Sequence, residues 1–332
     1  MYKQILSLFE DDQEDTFDQV ALDVFRYQAD HNSLYRAYLN LLGVSISDVT
    51  KLDEIPLLPI SFFKYHGIQT GTWVSKREFR SSGTTQTGLR SRHLIKDPNW
   101  YKEISTRLWL DAGYDLDFSK ILALLPSYLD NGDSSLVQMT SYLCEATGTT
   151  DPFYLHDHEA LAIRLREMLA EGTESVVLIG VTYALLDFGA AFPLSSDRLH
   201  ILFTGGMKGR REELLPSETY SRLQEYFPLS PIRSEYGMTE MLSQAYSGED
   251  QRFRMSTTLR VQTRNIYDPL IKAPLGKTGI MGIIDLANVD TLSFIMTDDL
   301  GIVYPDDSFV IMGRMQSSDL RGCNLLYDSL DD

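Results

Sequence analysis

From residue 77 onward, short apolar runs alternate with longer amphipathic stretches, and this alternation constrains the fold more than any other feature of the chain. The runs KILALLP, SVVLIGV and LHILFTGG have the length of buried strands. The stretches SSLVQMTSYLCEA and LAIRLREMLA carry apolar residues at helical spacing. Such alternation is typical of βα units that form a buried sheet with helices packed on its faces. The pattern predicts an α/β fold.

The segments on either side of the alternation have different patterns. Residues 15–42 place apolar side chains at helical spacing and predict two helices. Pro56 and Pro59, within IPLLPISFFK, disfavour helix and central strand, so an extended stretch is expected there. After Ser247, short β-like runs separated by Gly, Asp and Pro turns predict a mostly antiparallel β subdomain. We expect a helical and extended lead-in (residues 1–76), an α/β core (77–246), and a β subdomain with a C-terminal tail (247–332).

Charge and composition narrow the range of partners. The formal net charge of −17 repels nucleic-acid phosphates and anionic lipid, so neither is an expected partner. No apolar run approaches the ~20 residues that a bilayer span requires, and the first 15 residues are too acidic and polar for a secretory signal. Cys144 and Cys323 have neither a disulfide-framework nor a metal-ligand spacing. These features predict a cytoplasmic protein without a membrane span.

The run RSSGTTQTGLRSR, at residues 80–92, is dense in Ser, Thr and Gly and follows a short β-like stretch. Glycine lets a backbone fold around an anion, and successive amides and hydroxyls donate to phosphate oxygens. The GxxxxGK[ST] pattern of a Walker A loop is absent. The run is therefore either an anion-binding loop or a flexible polar turn.

The run SEYGMTEM, at residues 234–241, brings an aromatic ring, a Gly turn, a hydroxyl and a carboxylate within five residues. Such groups can stack on a purine, let the backbone approach phosphate, and bind Mg²⁺ through a hard oxygen ligand. The alternative is the N-terminus of a helix capped by Thr239.

Two further runs lie toward the C-terminus. In FIMTDDLG, Asp298 and Asp299 end an apolar, strand-like run. They can bind a ribose diol through charge-assisted hydrogen bonds, or form a solvated acidic turn. In VIMGRMQSSDLRGCN, Arg314 and Arg321 follow a strand and can bind ribose or phosphate oxygens as planar forks.

The order and spacing of these four runs resemble those of the adenylate-forming superfamily of acyl-CoA synthetases and luciferases. Within it, the chain resembles the acyl-protein synthetase family of bacterial luminescence on IPLLPISFFK, FRSSGTT, LLPSYLDNGDSSLV, FTGGMKGR, EYGMTEM and TDDLG. The resemblance covers residues 55–323. It implies the superfamily's large N-terminal domain, with βα layers and a C-terminal antiparallel β subdomain.

The resemblance also implies which residues bind the nucleotide. They are Ser81, Ser82, Gly83, Thr84, Thr85, Gly88, Gly205, Gly206, Tyr236, Gly237, Asp299 and Arg314. The loop of residues 81–88 is expected to hold the β- and γ-phosphates of ATP. The glycine pair after FT borders adenine and the acyl carboxylate, and Tyr236 faces adenine. Asp299 and Arg314 are expected at the ribose hydroxyls.

Three residues receive catalytic roles from the same resemblance. Thr239 is expected at the α-phosphate or the acyl carboxylate, and Glu240 at the Mg²⁺ ion. Cys323, in RGCNLL near the chain end, is the expected acyl carrier. Its neighbour Arg321 favours the thiolate, whereas Cys144 lies in an apolar helical stretch and is expected to be a buried hydrophobe.

The chain departs from the superfamily pattern at three places. Residues 86–89 read QTGL where Gly-x-Pro-Lys is usual, so the loop lysine is missing and Arg90 or Arg92 would supply the charge. The segment after Arg314 has Gln316 and Ser317 where paired acids form a hinge. The sequence ends at residue 332, where relatives continue into a mobile C-terminal domain of roughly a hundred residues that carries a catalytic lysine. We therefore expect that domain to be lacking.

Together these features predict an enzyme that uses ATP and Mg²⁺ to activate a carboxylic acid, by resemblance a fatty acid, as an acyl-adenylate. The acyl group then passes to a thiol on this protein, on CoA or on a partner. The expected partners are the carboxylic acid and an acyl-acceptor or reductase protein. The alternatives are a non-catalytic nucleotide- or acyl-binding subunit, and an acyl-CoA ligase of the phenylacetate type.

Overall fold

A computed structural model describes residues 1–10, 16–81, 89–126, 132–205 and 214–315. The helices are Tyr2–Ser7 (α1), Phe17–His31 (α2), Ser33–Leu41 (α3), Phe62–Tyr65 (α4), Pro98–Asp111 (α5), Ser135–Ala146 (α6), His158–Glu171 (α7), Thr182–Ala191 (α8) and Pro216–Tyr226 (α9). The strands are Leu58–Pro59 (β1), Arg77–Arg80 (β2), Arg92–Ile95 (β3), Ser119–Leu124 (β4), Ser175–Val181 (β5), Leu199–Thr204 (β6), Ile232–Tyr236 (β7), Ala245–Tyr246 (β8), Phe253–Arg254 (β9), Leu259–Arg264 (β10), Thr278–Asp285 (β11), Phe294–Val303 (β12) and Ser308–Arg314 (β13).

The apolar runs of the central segment form a sheet of order β4-β5-β6-β7-β8. Strands β4 to β7 are parallel neighbours, and β8 pairs antiparallel with β7. The connections between the parallel strands contain α6 to α9. Strand β5 reads SVVLIGV and is buried along nearly its whole length, as expected of a strand covered on both faces. The predicted α/β fold is confirmed.

The antiparallel sheet has the order β10-β11-β12-β13-β9. The predicted antiparallel β subdomain is therefore confirmed. Strand β1 adds to it in parallel, with Leu58 opposite Ile295 and Pro59 opposite Met296. Because proline has no N–H to donate, it suits such a short strand at a sheet margin. The extended stretch is confirmed around Pro59, but it is wrong for the end of IPLLPISFFK, which forms the short helix α4 beyond the reach of the two prolines.

The two helices predicted near the N-terminus are α2 and α3. The Asn32 side chain separates them and accepts a hydrogen bond from the backbone N–H of Tyr35 at 3.0 Å. Gln28 on α2 is fully buried, and its amide donates to the carbonyls of Asn288 and Val289 at 3.0 and 3.1 Å. The side-chain carbonyl oxygen of Gln28 accepts from the backbone N–H of Ser293 at 2.9 Å. Since each of these buried polar groups is paired, α2 is fixed onto the turn that follows β11.

Strands β2 and β3 form an antiparallel hairpin in which Arg80 lies opposite Arg92. The Ser/Thr/Gly run connects these two strands. Buried apolar side chains form one cluster that extends from Ile5 in α1 through both larger sheets to Phe309 in β13. Within the described part of the chain, no helix combines the length and apolar character needed to cross a membrane.

Candidate active site

The carboxyl edge of the parallel sheet carries several of the predicted site residues. β6 ends at Thr204 and is followed by Gly205; β7 ends at Tyr236 and is followed by Gly237. Neighbouring parallel strands end at the same edge, which is where ligands bind in open α/β sheets. Gly205 has φ +67, a left-handed conformation that favours glycine, and its carbonyl accepts a hydrogen bond from the Thr182 hydroxyl. The two glycine turns therefore lie side by side.

Tyr236 connects this edge to the antiparallel sheet. Its hydroxyl donates to Asp299 Oδ2 at 2.9 Å, and its side chain is 8% exposed. The ring lies against Phe253 and Phe309, with centroid distances of 5.9 and 5.8 Å. Burial and the neighbouring Asp299 charge hold the Tyr236 pKa well above its usual range. The adenine-facing role of Tyr236 stays a prediction.

Asp299 lies opposite Arg314 in the β12–β13 pair. Arg314 Nε donates to Asp299 Oδ1 at 2.8 Å; the Asp299 side chain is 7% exposed and that of Arg314 is 76% exposed. The Asp299 charge is the largest cause that raises the Arg314 pKa. Because Arg314 projects into solvent from a fixed carboxylate, its remaining N–H groups can donate to a ligand oxygen.

The alternative that Asp298 and Asp299 form a solvated acidic turn is wrong. Both lie within β12, where successive side chains point to opposite faces. Asp298 is exposed and Asp299 is buried. Of the two carboxylates, only that of Asp299 therefore faces the interior.

The segment from Gly237 to Gln244 contains no helix, so the alternative of a helix capped by Thr239 is also wrong. Side chains from other elements hold its backbone. Asp285 Oδ2 accepts from the N–H groups of Leu242 and Ser243 at 2.8 and 3.1 Å. Thr239 is half-buried at the start of this segment and Glu240 is buried beside it.

Glu240 is only 6% exposed. Burial raises its pKa, and this effect is opposed by a hydrogen bond from Ser91 and by the charges of Arg314 and Lys64. The Glu240 carbonyl accepts from Asn288 Nδ2 at 2.7 Å. Glu240 thus lies within the electrostatic reach of the Asp299–Arg314 pair and against the strand that follows the Ser/Thr/Gly run.

The Glu240 carboxylate can serve as one protein ligand to Mg²⁺. This ion is usually bound through one or two carboxylates together with substrate phosphates and water. Among the residues that the structure describes, no group of three or more His, Cys, Asp or Glu side chains could hold a metal. A carboxylate that accepts from a serine hydroxyl still has lone pairs for a hard cation. Glu240 therefore suits a metal that is bound mainly through nucleotide phosphates.

His93 on β3 was missed by the sequence analysis. It is fully buried, and its Nδ1 lies 2.7 Å from the Thr239 carbonyl oxygen. Burial lowers its pKa to about 4, although the hydrogen bond to Thr239 acts in the opposite direction. The ring is therefore neutral at pH 7. No local sequence pattern distinguishes this histidine from an ordinary strand residue.

The structure describes both ends of the Ser/Thr/Gly run: Ser81 near its start, and the residues from Leu89 onward at its end. The Ser81 N–H donates to the Ser91 carbonyl at 3.1 Å, and the Ser91 N–H donates to Ser81 Oγ at 3.0 Å. Arg90 donates to the Ser81 carbonyl and lies 3.3 Å from the Asp133 carboxylate. Arg92 donates to Glu78 at 2.7 Å. Arg90 and Arg92, the two residues that could supply the charge of the missing loop lysine, are thus already bonded to groups in or beside the hairpin.

Several predicted residues lie outside the described part of the chain. They are Ser82, Gly83, Thr84, Thr85, Gly88, Gly206 and Cys323. Their roles stay predictions. Cys144 is described: it is buried in α6, and burial raises the pKa of its thiol to about 12. The expectation that Cys144 is a buried hydrophobe is confirmed.

Glu235 is a buried carboxyl group that the sequence analysis missed, as it missed His93. It precedes Tyr236 in β7, lies opposite Thr204, and accepts a hydrogen bond from the Thr204 hydroxyl. A Cβ at Gly237 would collide with Glu235 Oε1, so a larger residue there would require the Glu235 carboxyl group to shift. Burial raises the Glu235 pKa to about 7, and the Thr204 hydrogen bond only partly opposes the shift.

The chain is similar in sequence to three proteins named long-chain-fatty-acid–luciferin-component ligase. It is 23% identical to that of Aliivibrio fischeri over 95% of this chain and 88% of the relative. The Vibrio harveyi protein is 27% identical, over 91% of this chain and 84% of the relative. The Photorhabdus luminescens protein is 34% identical over 88 residues, which are 25% of this chain and 69% of the relative. No protein-family model matches the chain.

Solved structures share the fold. A 2-hydroxyisobutyryl-CoA ligase in complex with 2-HIB-AMP and CoA matches with a TM-score of 0.66 at 12% identity, over 90% of this chain and 74% of that one. ATP-bound MatB from Rhodopseudomonas palustris matches with a TM-score of 0.54 at 16% identity, over 71% of this chain. The match spans 47% of MatB, about half its length. The fold is that of the large domain of adenylate-forming enzymes.

Replacing Glu235 with Gln should change how stability depends on pH. The folded-state pKa of about 7 lies above the ordinary value of 4.5, so the folded protein binds more protons than the unfolded chain between these values. Glu235 therefore makes its full contribution to the free energy of unfolding below pH ~4.5. This contribution, about 3 kcal/mol, is lost as pH rises through ~7. Melting temperatures of wild type and Glu235→Gln should diverge from pH 5 to pH 8, with the variant becoming relatively more stable.

The matched control is Glu225→Gln, which changes an exposed glutamate on α9. Its melting temperature should follow that of wild type across the same pH range. Parallel curves for wild type and Glu235→Gln would show that the buried carboxyl group does not titrate in this range.

Proposed function

We infer that this chain, which belongs to the acyl-protein synthetase family of adenylate-forming enzymes, uses ATP to activate a carboxylic acid as an acyl-adenylate. The observation that supports this function is that Tyr236, at the carboxyl edge of the parallel sheet, shares the buried Asp299 carboxylate with Arg314, while Glu240 lies four residues after Tyr236 within the reach of the Arg314 charge. Relatives along most of the chain are named ligases of a long-chain fatty acid. A long-chain fatty acid is therefore the proposed substrate.

In the first step, a substrate carboxylate oxygen attacks the α-phosphorus of ATP. The bond from that phosphorus to the bridging oxygen breaks, and pyrophosphate leaves with the bonding electron pair. Arg314 can donate to ribose or phosphate oxygens while Asp299 fixes the direction of its guanidinium. Thr239 and the backbone N–H groups around the two glycine turns would donate to the α-phosphate oxygens and stabilise the charge that develops there. The products are acyl-AMP and pyrophosphate.

Mg²⁺ is part of the proposal, with Glu240 as its protein ligand. A bound Mg²⁺ supplies electrostatic stabilisation of the charge that develops on the phosphate oxygens. The buried position of Glu240 supports this role, because a carboxylate in a low-dielectric site interacts strongly with a cation. The neighbouring Ser91 side chain and the Arg314 and Lys64 charges favour the ionised form of this carboxyl group.

In the second step, a thiolate attacks the acyl carbon, the C–O bond to AMP breaks, and AMP leaves. We propose Cys323 as the first acceptor, followed by transfer to a partner protein that reduces or accepts the acyl group. Arg321 and Gly322 adjoin this cysteine in sequence, so a neighbouring guanidinium favours its thiolate. A cytoplasmic location belongs to the same proposal, since a free acceptor thiol requires a reducing compartment.

The ligase function is favoured over the two alternatives. A non-catalytic binding subunit would not require a buried carboxylate beside the nucleotide edge, whereas Glu240 is present and its carboxyl group is partnered for orientation. The phenylacetate-type CoA ligase shares the activation step but differs in the acid and in the thiol that receives the acyl group, and the named relatives favour a long-chain fatty acid. The acceptor is therefore tested separately from the activation step.

Glu240→Gln should leave the fold intact and lower acid-dependent exchange of pyrophosphate into ATP by about a hundredfold or more. The amide keeps the shape of the side chain but removes the anionic ligand from the metal that binds the phosphates. Exchange of labelled pyrophosphate, measured with saturating fatty acid and Mg²⁺, reports the adenylation step alone.

The control for this variant is Glu249→Gln, an exposed glutamate in the turn after β8. It should retain wild-type exchange. An exchange rate for Glu240→Gln equal to that of the control would remove Glu240 from the metal site.

Cys323→Ser should abolish covalent acylation of the protein while leaving adenylate formation unchanged. Serine removes the nucleophilic thiolate but does not alter the carboxyl-activation step. The protein is incubated with ATP and labelled fatty acid, and hydroxylamine-sensitive label is located by mass spectrometry. Cys144→Ser is the matched control and should be labelled like wild type. Label that persists in Cys323→Ser, or label that moves entirely to CoA, would exclude Cys323 as the carrier.

A further inference from the structure

The backbone of the segment that carries Thr239 and Glu240 is held by side chains from distant parts of the chain. Asn288 donates to the Glu240 carbonyl, and Asp285 accepts from the N–H groups of Leu242 and Ser243. These contacts come from the last residue of β11 and from the turn that follows it. On the opposite side, the Thr239 carbonyl accepts from His93 at 2.7 Å. The position of this segment therefore depends on partners outside it.

The orientation of the His93 ring is fixed at both nitrogens. A carbonyl oxygen can only accept, so Nδ1 carries the proton that is donated to Thr239. Nε2 then accepts from the Thr291 hydroxyl at 3.0 Å. The Phe63 ring packs edge-on against the imidazole at a centroid distance of 5.8 Å. These three contacts leave the fully buried ring with a single orientation.

His93 also ties the Thr239 segment to the base of the Ser/Thr/Gly run. It lies on β3, two residues after Ser91, whose side chain lowers the pKa of the Glu240 carboxyl group. Ser91 in turn exchanges two hydrogen bonds with Ser81, the residue at the other base of the run. His93 in β3 and Ser91 just before it therefore lie beside two consecutive residues of the proposed adenylation segment.

We propose that His93 is a positioning residue that, through the Thr239 carbonyl, holds the Thr239 and Glu240 side chains in register with the base of the Ser/Thr/Gly run. This inference rests on the proposed function of those two residues. Small displacements of catalytic groups lower reaction rates strongly, even when binding contacts elsewhere remain. The Asp299–Arg314 pair, proposed for ribose, lies on β12 and β13 of the antiparallel sheet, which His93 does not contact through Thr239. Loss of the His93 contact should therefore lower kcat more than it raises KM for ATP.

The test compares His93→Asn with His93→Gln. The Asn amide nitrogen can occupy the place of Nδ1 and donate to Thr239, whereas the longer Gln amide reaches the Nε2 side near Thr291. We expect His93→Asn to retain kcat for pyrophosphate exchange within about threefold, and His93→Gln to lose about tenfold or more, with KM for ATP changed less than about threefold in both. Melting temperatures identify any variant that fails to fold.

A second measurement does not depend on activity. Hydrogen–deuterium exchange of the peptide that contains residues 237–244 should be faster in His93→Gln than in His93→Asn, because only the first loses the bond to Thr239. If wild type shows no pyrophosphate exchange, the proposed function fails, and this comparison still decides whether His93 positions the segment. Equal kcat in wild type and folded His93→Gln, equal losses in both variants, or equal deuterium uptake would each overturn the proposal.

Thr291→Val covers the case in which His93→Gln does not fold. The substitution keeps the shape of the side chain and removes the hydroxyl that fixes Nε2, while His93 remains in place. It should give the same split at smaller amplitude, with kcat lowered about threefold and KM for ATP unchanged. Wild-type kcat in Thr291→Val together with unfolded His93 variants would also overturn the proposal.

Discussion

The buried carboxylate of Asp299 is the interaction on which the proposed site depends. It is supplied by the antiparallel sheet, yet it accepts from Tyr236 at the end of a parallel strand and from Arg314 on its own neighbouring strand. A buried carboxylate is stable only when it is paired and hydrogen-bonded, so its two partners cannot move independently of it. Asp299 therefore links the carboxyl edge of the parallel sheet to β12 and β13 of the antiparallel sheet. The residues proposed for adenine and for ribose are joined through this one carboxylate.

This geometry offers an account of how the chain manages without the lysine usual in the phosphate loop. Arg90 and Arg92 are engaged at the hairpin by the Ser81 carbonyl, Asp133 and Glu78. The cations that act on Glu240 are instead Arg314 and Lys64, which come from β13 and α4. Positive charge at the proposed phosphate site is thus supplied from the surrounding elements. Backbone amides of the two glycine turns, which keep their position without side-chain ordering, add to it.

Sequence patterns predicted the layers of the fold because burial imposes a period on each element. Strands β4 to β6 and helices α6 and α7 are readable from their apolar spacing. The same patterns could not decide between Asp298 and Asp299, because only the register of β12 shows which side chain faces inward. His93 and Glu235 were out of reach for a related reason. The partner of His93 lies 146 residues away, and a buried glutamate breaks the apolar pattern by which buried strand positions are recognised.

We propose that the site joined by Asp299 forms an acyl-adenylate. Exchange of labelled pyrophosphate into ATP by the purified wild-type chain, with a panel of carboxylic acids of increasing chain length, tests this activity. Exchange should require both Mg²⁺ and an acid, reach at least about tenfold above the acid-free rate, and be greatest for long-chain fatty acids. Acid-independent exchange, or none with any acid in the presence or absence of a partner reductase, would contradict it.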